Sequence, residues 1–265
     1  MNYLVIKCGG SVLENLPRSF YQDIISLHQA GKWTPIIVHG GGPLITSLLN
    51  SLNIETKFVN GLRVTNQEVL DVVEMVLSGY VNKQVVRNII EVGGAALGIS
   101  GVDGCLLTAR PTASSEILGF VGEVVEVNRQ IIEGIVTQGY IPVISPIGIN
   151  TSGQRFNING DIAASAIAKA LEASLCFISD IPGILVEENG KKIKLDKVSR
   201  RGVEKLIANE TIYGGMIPKV TAAIDGLVHK IPEVGIINGF EKNSLLDYMN
   251  GKKIGTKIVL EEEIA

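Results

Sequence analysis

The stretch TPIIVHGGGPLI, residues Thr34–Ile45, decides the fold class. Its first half is a short run of branched apolar residues, which is typical of a buried β-strand. Three glycines, Gly40–Gly42, then interrupt the run, and Pro43 stands where prolines commonly begin a helix. The stretch YLVIKCGGS, Tyr3–Ser11, has the same pattern of a buried run that ends in glycines. A strand that passes through a glycine turn into a helix is the building unit of α/β proteins with a parallel sheet.

Strand and helix patterns alternate along the rest of the chain. Helices are predicted from the spacing of apolar residues, and strands from short apolar runs. The further predicted strands are 96–99, 106–108, 122–127, 141–146, 175–179, 234–237 and 257–260. The predicted helices are 17–30, 43–52, 68–91, 129–138, 161–171, 199–208 and 218–230, with hairpins at 55–65 and 190–195. This alternation predicts an α/β fold with a mostly parallel sheet, helices on both faces and a lobe boundary near Ser174.

Composition excludes several classes of protein. Of the 265 residues, 46% are hydrophobic and 19% are charged, which is enough apolar material for a core and excludes intrinsic disorder. The net charge of −3 argues against nucleic acid and anionic membranes as partners. Three cysteines without CxxC spacing indicate neither a disulfide framework nor a zinc site. The uncharged stretch 134–154 is broken by prolines and glycines, and Lys7 interrupts the first apolar run, so we expect neither a membrane span nor a signal peptide, and a cytoplasmic protein.

Polar and glycine-rich loops follow several predicted strands or precede predicted helices. Ligands of open α/β sheets bind at the carboxyl ends of the strands, so these loops form the candidate site. The loops are 7–11, 39–43, 157–161, 179–183 and 214–219. Glycine turns and helix N-termini offer N–H groups to anions, and Lys7 and Lys219 add positive charge. Each loop alone is most simply a tight turn, but together they suit a polyphosphate whose charge is stabilised during transfer.

Two familiar nucleotide motifs do not occur in the sequence. No GxxxxGK[ST] is present, which excludes a P-loop kinase, and no GxGxxG follows the first strand, which argues against a Rossmann dinucleotide site. A kinase with this sequence therefore belongs to another fold.

The loop sequences resemble those of the amino acid kinase family. The matching motifs are KCGGS (7–11), VHGGG (38–42), NGLRVT (60–65), NINGD (157–161), SDIPG (179–183) and GGMIPK (214–219). They stand in the family's order and span residues 3–260. The resemblance implies a three-layer αβα sandwich in one domain, 1–265. It also implies an N-terminal lobe, 1–173, for an acyl amino acid and dimerisation, and a C-terminal lobe, 174–265, for ATP.

The HGGG loop together with the NGLRVT hairpin resembles the branch that phosphorylates the γ-carboxylate of N-acetyl-L-glutamate in arginine biosynthesis. This implies ATP as co-substrate, with Mg²⁺ held mainly by the phosphates and no metal site built from side chains. A γ-carboxylate with an ordinary pKa of about 4.3 is ionised at neutral pH, so no general base is needed. Two alternatives stay open: a kinase for carrier-linked α-aminoadipate or glutamate in lysine biosynthesis, and a non-catalytic amino-acid sensor on the same fold.

The resemblance implies three groups of site residues. The catalytic residues are Lys7, Lys219 and Asp161, of which Asp161 orients both lysines. The substrate-binding residues are Gly41, Gly42, Arg63, Asn157 and Asn159, with Arg63 on the α-carboxylate. The nucleotide-binding residues are Gly9, Gly10, Ser11, Asp180, Gly183, Leu185, Thr211, Tyr213 and Gly215.

Ordinary structural roles stay open for four residues near these loops. Asp161 also fits a helix N-cap, Asn159 a turn, and Arg63 a surface salt bridge. His39 precedes the three glycines, and we expect it to make a structural hydrogen bond, because the reaction needs no proton shuttle.

The resemblance further implies a homodimer that is insensitive to arginine. Family members that arginine inhibits carry an extra N-terminal helix, and the first predicted strand, which begins at Tyr3, leaves no room for one. The predicted helix 68–91 is the candidate dimer interface, because its apolar surface extends around Val72 and Val76.

Overall fold

The computed structural model describes residues 2–188, 191–229 and 231–260. Gly190, at which the second predicted hairpin begins, and Lys230, at which a predicted helix ends, lie outside the described residues. Within these ranges, no helix has both the length and the apolar character that crossing a membrane requires.

An eight-stranded sheet forms the centre of the molecule. The described strands are β1 Tyr3–Cys8, β2 Thr34–His39, β3 Phe58–Val59, β4 Leu62–Arg63, β5 Ala96–Ser100, β6 Leu107–Pro111, β7 Val121–Val127, β8 Ile141–Ser145, β9 Ile147–Ile149, β10 Arg155–Ile158, β11 Ser174–Ser179, β12 Leu185–Glu188, β13 Lys191–Lys194, β14 Lys197–Ser199, β15 Val234–Asn238 and β16 Thr256–Val259. The sheet order is β14-β16-β15-β11-β1-β2-β8-β5, and its described pairs are parallel except β15 with β16. The prediction of a mostly parallel central sheet is confirmed.

Helices cover both faces of this sheet. They are α1 Gly10–Leu13, α2 Arg18–Gln29, α3 Gly42–Ser51, α4 Gln67–Glu74, a π-helical segment Met75–Val81, α5 Asn82–Glu91, α6 Ser115–Leu118, α7 Arg129–Thr137, α8 Gly160–Leu171, α9 Arg200–Ala208, α10 Met216–Val228 and α11 Ser244–Met249, with a 3₁₀ turn at Asp103–Cys105. One apolar core joins α2, α3, α4 and α5 to the sheet, and a second joins α7, α8, α9 and α10 to its other face. The result is a three-layer αβα sandwich, as predicted.

Alternation along β1 decides which layer each of its side chains enters. Leu4, Ile6 and Cys8 belong to the first core, whereas Val5 belongs to the second. Lys7 is on the same face of the strand as Val5 and therefore points toward the layer that contains α8.

Four strands that are not part of the central sheet form a small closed barrel in the order β10-β7-β6-β9. The patterns at 106–108 and 122–127 predicted strands but no separate barrel, and β9 and β10 were not predicted at all. These two strands are only three and four residues long, and Asn150 forms the turn between them by accepting hydrogen bonds from the N–H groups of Ser152 and Gln154. The loop 157–161 consequently begins on barrel strand β10, and β9 and β10 separate it from β8.

The helix 68–91 is continuous, but its predicted interface residues are not at the surface. Val72 and Val76 are buried in the chain's own core, so the expectation that they extend an exposed apolar face is wrong. The apolar side chains that this helix does expose are Met75, Tyr80 and Ile90. The π-helical segment shifts the helical register, which a fixed period of 3.6 residues cannot anticipate.

Candidate active site

The two glycine loops that follow β1 and β2 pack directly against each other. A Cβ added at Gly10 would lie 2.6 Å from the nitrogen of Gly42 and 2.7 Å from that of Gly41. Gly40 N–H donates to the carbonyl of Cys8 at 2.9 Å, which joins the loops. Within the described residues, the N–H groups of Gly10, Gly41 and Gly42 have no hydrogen-bond acceptor. These donors remain available to an anion at the start of α1 and α3.

Lys7, Asp161 and Lys219 form a buried charged cluster beside the glycine loops. Lys7 Nζ lies 2.6 Å from Asp161 Oδ1, and Lys219 Nζ lies 3.4 Å from Asp161 Oδ2. The Lys7 and Asp161 side chains are only 7% and 6% exposed. A Cβ at Gly160 would approach Lys7 Cε to 3.3 Å, so this glycine leaves room for the lysine. Two cations share one carboxylate, and the cluster carries a net positive charge.

The cluster shifts the pKa values of two of its members. Burial opposes ionisation of Asp161, but the charges and hydrogen bonds of the two lysines outweigh it and lower its pKa below 3.8. Burial lowers the pKa of Lys219 below 10.5, and the charge of Lys7 acts in the same direction, whereas Asp161 opposes both. Asp161 is therefore an anion across the neutral range and serves both ammonium groups.

Asn159 supplies the N-cap of α8. Its Oδ1 accepts hydrogen bonds from the N–H groups of Asp161 at 2.8 Å and Ile162 at 3.3 Å. The alternative that Asp161 caps this helix is thereby excluded, because its carboxylate faces the lysines. The cap instead fixes the first turn, on which Asp161 stands.

Arg63, on the short strand β4, is buried and only partly paired. Its Nη2 donates to Thr46 Oγ1 at 2.8 Å and to the carbonyl of Gly42 at 3.2 Å. Its guanidinium stacks over Phe58, 4.6 Å from the ring centre. Its Nη1 is buried and has no partner within the described residues. The alternative of a surface salt bridge is excluded, and Arg63 is one of the residues that line a ligand-sized space.

That space is a cavity of about 220 Å³. It is lined by Lys7, Gly41, Arg63, Asn157 and Asp161, together with other residues of both glycine loops and the β3–β4 hairpin. The cavity thus has two cationic centres, the lysine cluster and the Arg63 guanidinium. A small molecule with two carboxylates matches this distribution of charge.

Asn157 and Arg63 are linked through a residue that the sequence analysis missed. Asn157 Nδ2 donates to Thr65 Oγ1 at 3.1 Å, and Thr65 Oγ1 donates to the carbonyl of Arg63 at 2.8 Å. Thr65 is fully buried. It belongs to the NGLRVT motif, which gave a signal for it, whereas Thr46 stands one helical turn after the glycines and no sequence feature marked it.

A second cleft, of about 460 Å³, lies in the part of the chain that follows β11. Three predicted nucleotide-binding residues line it together: Leu185, Thr211 and Tyr213. The rest of the lining is apolar side chains together with three charged residues: Ile181, Ile184, Val186, Ile212 and Met216, and Glu187, Lys192 and Glu210. The size and lining are typical of a small-molecule site.

The remaining predicted nucleotide residues lie outside this second cleft. Gly9 is the N-cap of α1, and Gly10 and Ser11 begin that helix beside Lys7. Gly215 precedes α10, and its carbonyl lies 3.4 Å from Lys219 Nζ. These residues lie next to the lysine cluster.

Asp180 and Gly183 differ from the others in position. Asp180 is exposed at the end of β11, and its charge raises the pKa of Lys219 against the larger effect of burial. Gly183 has φ of 140° and packs against Gly255 and Thr256, where a Cβ would meet backbone atoms at 3.1 Å. It shapes the turn and does not line the cleft.

The fold is that of a recognised class of phosphotransferase. The model of the amino acid kinase family matches residues 2–238, and the chain belongs to this family.

Individual proteins with similar sequences indicate which members of the family this chain resembles. The chain is 47% identical over 264 residues to an acetylglutamate kinase of Oceanobacillus iheyensis, covering 100% of this chain and 99% of that protein. It is 46% identical over 256 residues to an acetylglutamate kinase of a Geobacillus species, covering 96% of each. Among solved structures, smu.665 of Streptococcus mutans is similar with a TM-score of 0.85 and 28% identity, over 98% of this chain and 99% of that one.

Proposed function

We infer that this chain transfers the γ-phosphoryl group of ATP to the γ-carboxylate of N-acetyl-L-glutamate. The products are ADP and N-acetyl-L-glutamyl 5-phosphate, and the reaction is a step of arginine biosynthesis. The observation that carries this inference is the pairing of Lys7 and Lys219 on Asp161 beside the free N–H groups of two glycine loops. The full-length similarity to acetylglutamate kinases gives the substrate.

The reaction brings two anions together, and the site supplies positive charge between them. A carboxylate oxygen attacks the γ-phosphorus, a new O–P bond forms, and the bond to the β,γ-bridging oxygen breaks. The carboxylate is already ionised and needs no base. Lys7 and the N–H groups of Gly10 and Gly41 stabilise the charge on the transferring group, and Lys219 stabilises the departing ADP. Asp161 holds both lysines in place.

The cavity beside the cluster receives the acyl amino acid. We assign the α-carboxylate to Arg63, whose unpartnered Nη1 offers a donor there. Asn157, with Gly41 and Gly42, lines the rest of the acyl-amino-acid site. We assign Asn159 an indirect role, because its side chain is engaged as the cap of α8.

The nucleotide lies across the cluster and the second cleft. We assign the base and ribose to the cleft of Leu185, Thr211 and Tyr213. The phosphates then extend toward Lys7 past Gly9, Gly10, Ser11, Asp180, Gly183 and Gly215. Mg²⁺ enters with ATP and is held mainly by its phosphates and water, because the buried carboxylate of the site, Asp161, already pairs with two lysines.

We assign one substrate to each of the two lobes of the domain. Residues 1–173 contain the acyl-amino-acid cavity and residues 174–265 the base-binding cleft. We propose that a second copy of the chain packs on the N-terminal lobe, where Met75, Tyr80 and Ile90 are exposed along one helix. Light scattering of the purified protein tests this proposal, and we expect a mass twice that of the 28.3 kDa chain.

The test of function is ADP release in the presence of ATP and Mg²⁺, with hydroxylamine to trap acyl phosphate. The acceptors are N-acetyl-L-glutamate, L-glutamate, N-acetyl-L-aspartate and α-aminoadipate. We expect turnover with N-acetyl-L-glutamate far above the others. Folded protein that binds ATP but turns over none of these acceptors would contradict the proposed function.

A further inference from the structure

His39, at the end of β2, is fully buried and makes two polar contacts. Its Nδ1 lies 3.1 Å from the carbonyl oxygen of Gly40. A carbonyl oxygen only accepts, so Nδ1 carries the hydrogen and Nε2 is the bare acceptor. Nε2 lies 3.2 Å from Asn82 Nδ2, which can donate to it. The ring is thus a neutral imidazole of defined tautomer.

Asn82 is also fully buried, and its amide is fixed on every side. Its Nδ2 donates to the carbonyl of Val143 at 2.9 Å, and the carbonyl of Ile99 lies 3.2 Å away. Its Oδ1 accepts from Lys83 Nζ at 3.0 Å. Because Val143 and Ile99 belong to β8 and β5, Asn82 anchors the imidazole to the rigid sheet.

The carbonyl that His39 holds belongs to a peptide unit of the anion-binding loop. The Gly40 carbonyl and the Gly41 N–H are two ends of one planar trans peptide and point in opposite directions. Holding the carbonyl toward His39 therefore turns the Gly41 N–H away from the imidazole, and the Gly41 nitrogen lies 2.7 Å from the position of a Cβ at Gly10. A hydrogen bond accepted at the carbonyl also strengthens the N–H as a donor.

The π-helical segment supports the same peptide from a second direction. A Cβ at Gly41 would lie 2.7 Å from Leu77 Cδ2 and 3.2 Å from Val81 Cγ2. Asn82 follows Val81 directly, so one stretch of helix packs against Gly41 and also supplies the partner of His39. Local π-helical turns are frequent at functional sites.

We propose that His39 and Asn82 are positioning residues for phosphoryl transfer, which hold the Gly40–Gly41 peptide so that its N–H points at the transferring group. This inference rests on the proposed function. Neither side chain touches a substrate, and neither exchanges a proton in the reaction. Burial lowers the pKa of His39 to about 4, against the hydrogen bond to Gly40 and with the charges of Lys7 and Lys83, so the ring stays neutral at working pH.

Two variants of His39 separate its contacts. In His39→Asn the side-chain amide occupies the place of Nδ1 and keeps a donor for Gly40. In His39→Gln the amide reaches the place of Nε2 and keeps a partner for Asn82, but the donor to Gly40 is lost. We expect kcat of His39→Asn to fall by less than about threefold and that of His39→Gln by about tenfold or more, with the KM of each substrate changed less than about threefold, because a misaimed donor acts on the transition state.

Asn82→Ala leaves the imidazole in place and removes its anchor, so it serves as the second test. We expect kcat to fall by less than in His39→Gln, because the imidazole keeps its donor to the Gly40 carbonyl and loses only its anchor. Ser244→Ala is the matched control, because Ser244 is equally buried and donates to the carbonyl of Asn238 in another part of the fold. We expect this control to lower the melting temperature and to leave kcat unchanged.

The histidine tautomer gives a readout that needs no substrate. In ¹⁵N-labelled protein we expect the His39 ring to show a protonated Nδ1 and a bare Nε2 at pH 7, assigned by its loss in His39→Asn. A protonated Nε2, equal kcat losses in His39→Asn and His39→Gln, or a change confined to KM would overturn the proposal. Failure of the proposed function is a separate result, since it appears as absence of turnover by the unaltered protein.

Discussion

Lys7 Nζ and Asp161 Oδ1 lie 2.6 Å apart, in a pair whose two side chains are almost fully buried. Lys7 is the last residue but one of β1, and Asp161 lies in the first turn of α8. This helix packs against this strand. The single negative charge of the buried Asp161 carboxylate cannot neutralise the positive charges of both Lys7 and Lys219. The site is thus prepared for additional negative charge, which a phosphoryl group in transfer provides.

Lys7→Ala and Lys219→Ala should each lower kcat by about 10²-fold or more, the loss measured when an oxyanion donor is removed. Lys169→Ala is the matched control, since Lys169 stands on the same helix as Asp161 but pairs with Asp225 at the surface. Steady-state ADP release measures all three variants. A Lys7→Ala enzyme as active as the Lys169→Ala control would exclude the proposed role.

The activity should fall at alkaline pH through Lys219. Its pKa lies below 10.5, chiefly because of burial, and only the protonated ammonium stabilises a developing anion. We therefore expect kcat/KM to decrease as the pH rises through this lowered pKa. Lys219→Arg should be less active overall but should lose this alkaline decline, because the guanidinium stays charged. An unchanged alkaline limb in Lys219→Arg would assign the titration to another group.

The stability should depend on pH through Asp161 in the acid range. Its folded-state pKa is below 3.8, so the stabilisation is present above that value and is lost as the pH falls through the lowered pKa. The free energy of unfolding, measured by urea denaturation, should fall more steeply below about pH 4 for the wild type than for Asp161→Asn. The variant has no carboxylate to protonate at this position. Parallel curves for the two proteins would show that other carboxylates govern acid unfolding.

The sequence indicated the residues of the candidate site more clearly than the way in which the folded chain brings them together. The glycine loops and the two lysines were found because glycines after buried runs, and cations beside them, are local signals. The barrel of β6, β7, β9 and β10 was not found, because strands of three and four residues give too few positions for a periodicity.

Hydrogen bonds between side chains that are distant in the sequence also could not be predicted. Thr46 becomes a partner of Arg63 only when α3 and β4 meet in space, 17 residues apart in the chain. Val72 and Val76 show the reverse limitation, since an apolar stripe does not reveal whether it faces the chain's own core or a second copy. Both depend on tertiary packing, which local patterns do not contain.

Gly10→Ala should abolish most activity and should also lower the stability of the protein, because the added methyl group forces apart two backbone loops that are in direct contact. The added methyl group would lie 2.6–2.7 Å from the nitrogens of Gly42 and Gly41 and would occupy the place of an anion bound to them. We expect kcat to fall at least about 10²-fold, because the donors of both loops are blocked. Gly134→Ala is the control, since nothing lies within 4 Å of its Cβ and alanine favours its helix, α7. An active Gly10→Ala enzyme would place the anion elsewhere.

Arg63→Lys should weaken binding of the acyl amino acid and leave ATP binding unchanged. A lysine keeps the charge but loses the planar fork that holds Thr46 Oγ1 on one nitrogen and leaves Nη1 for the substrate carboxylate. A hydrogen bond between charged groups contributes about 1.5–3 kcal/mol, so the KM for N-acetyl-L-glutamate should rise by roughly 10- to 150-fold. The KM for ATP should stay within about twofold, because Arg63 does not line the cleft that we assign to the base. Arg110→Lys, which alters only an exposed pair with Glu123, should leave both constants unchanged. If Arg63→Lys raised the KM for ATP and not that for N-acetyl-L-glutamate, Arg63 would belong to the nucleotide site and the cavity beside it would need another ligand.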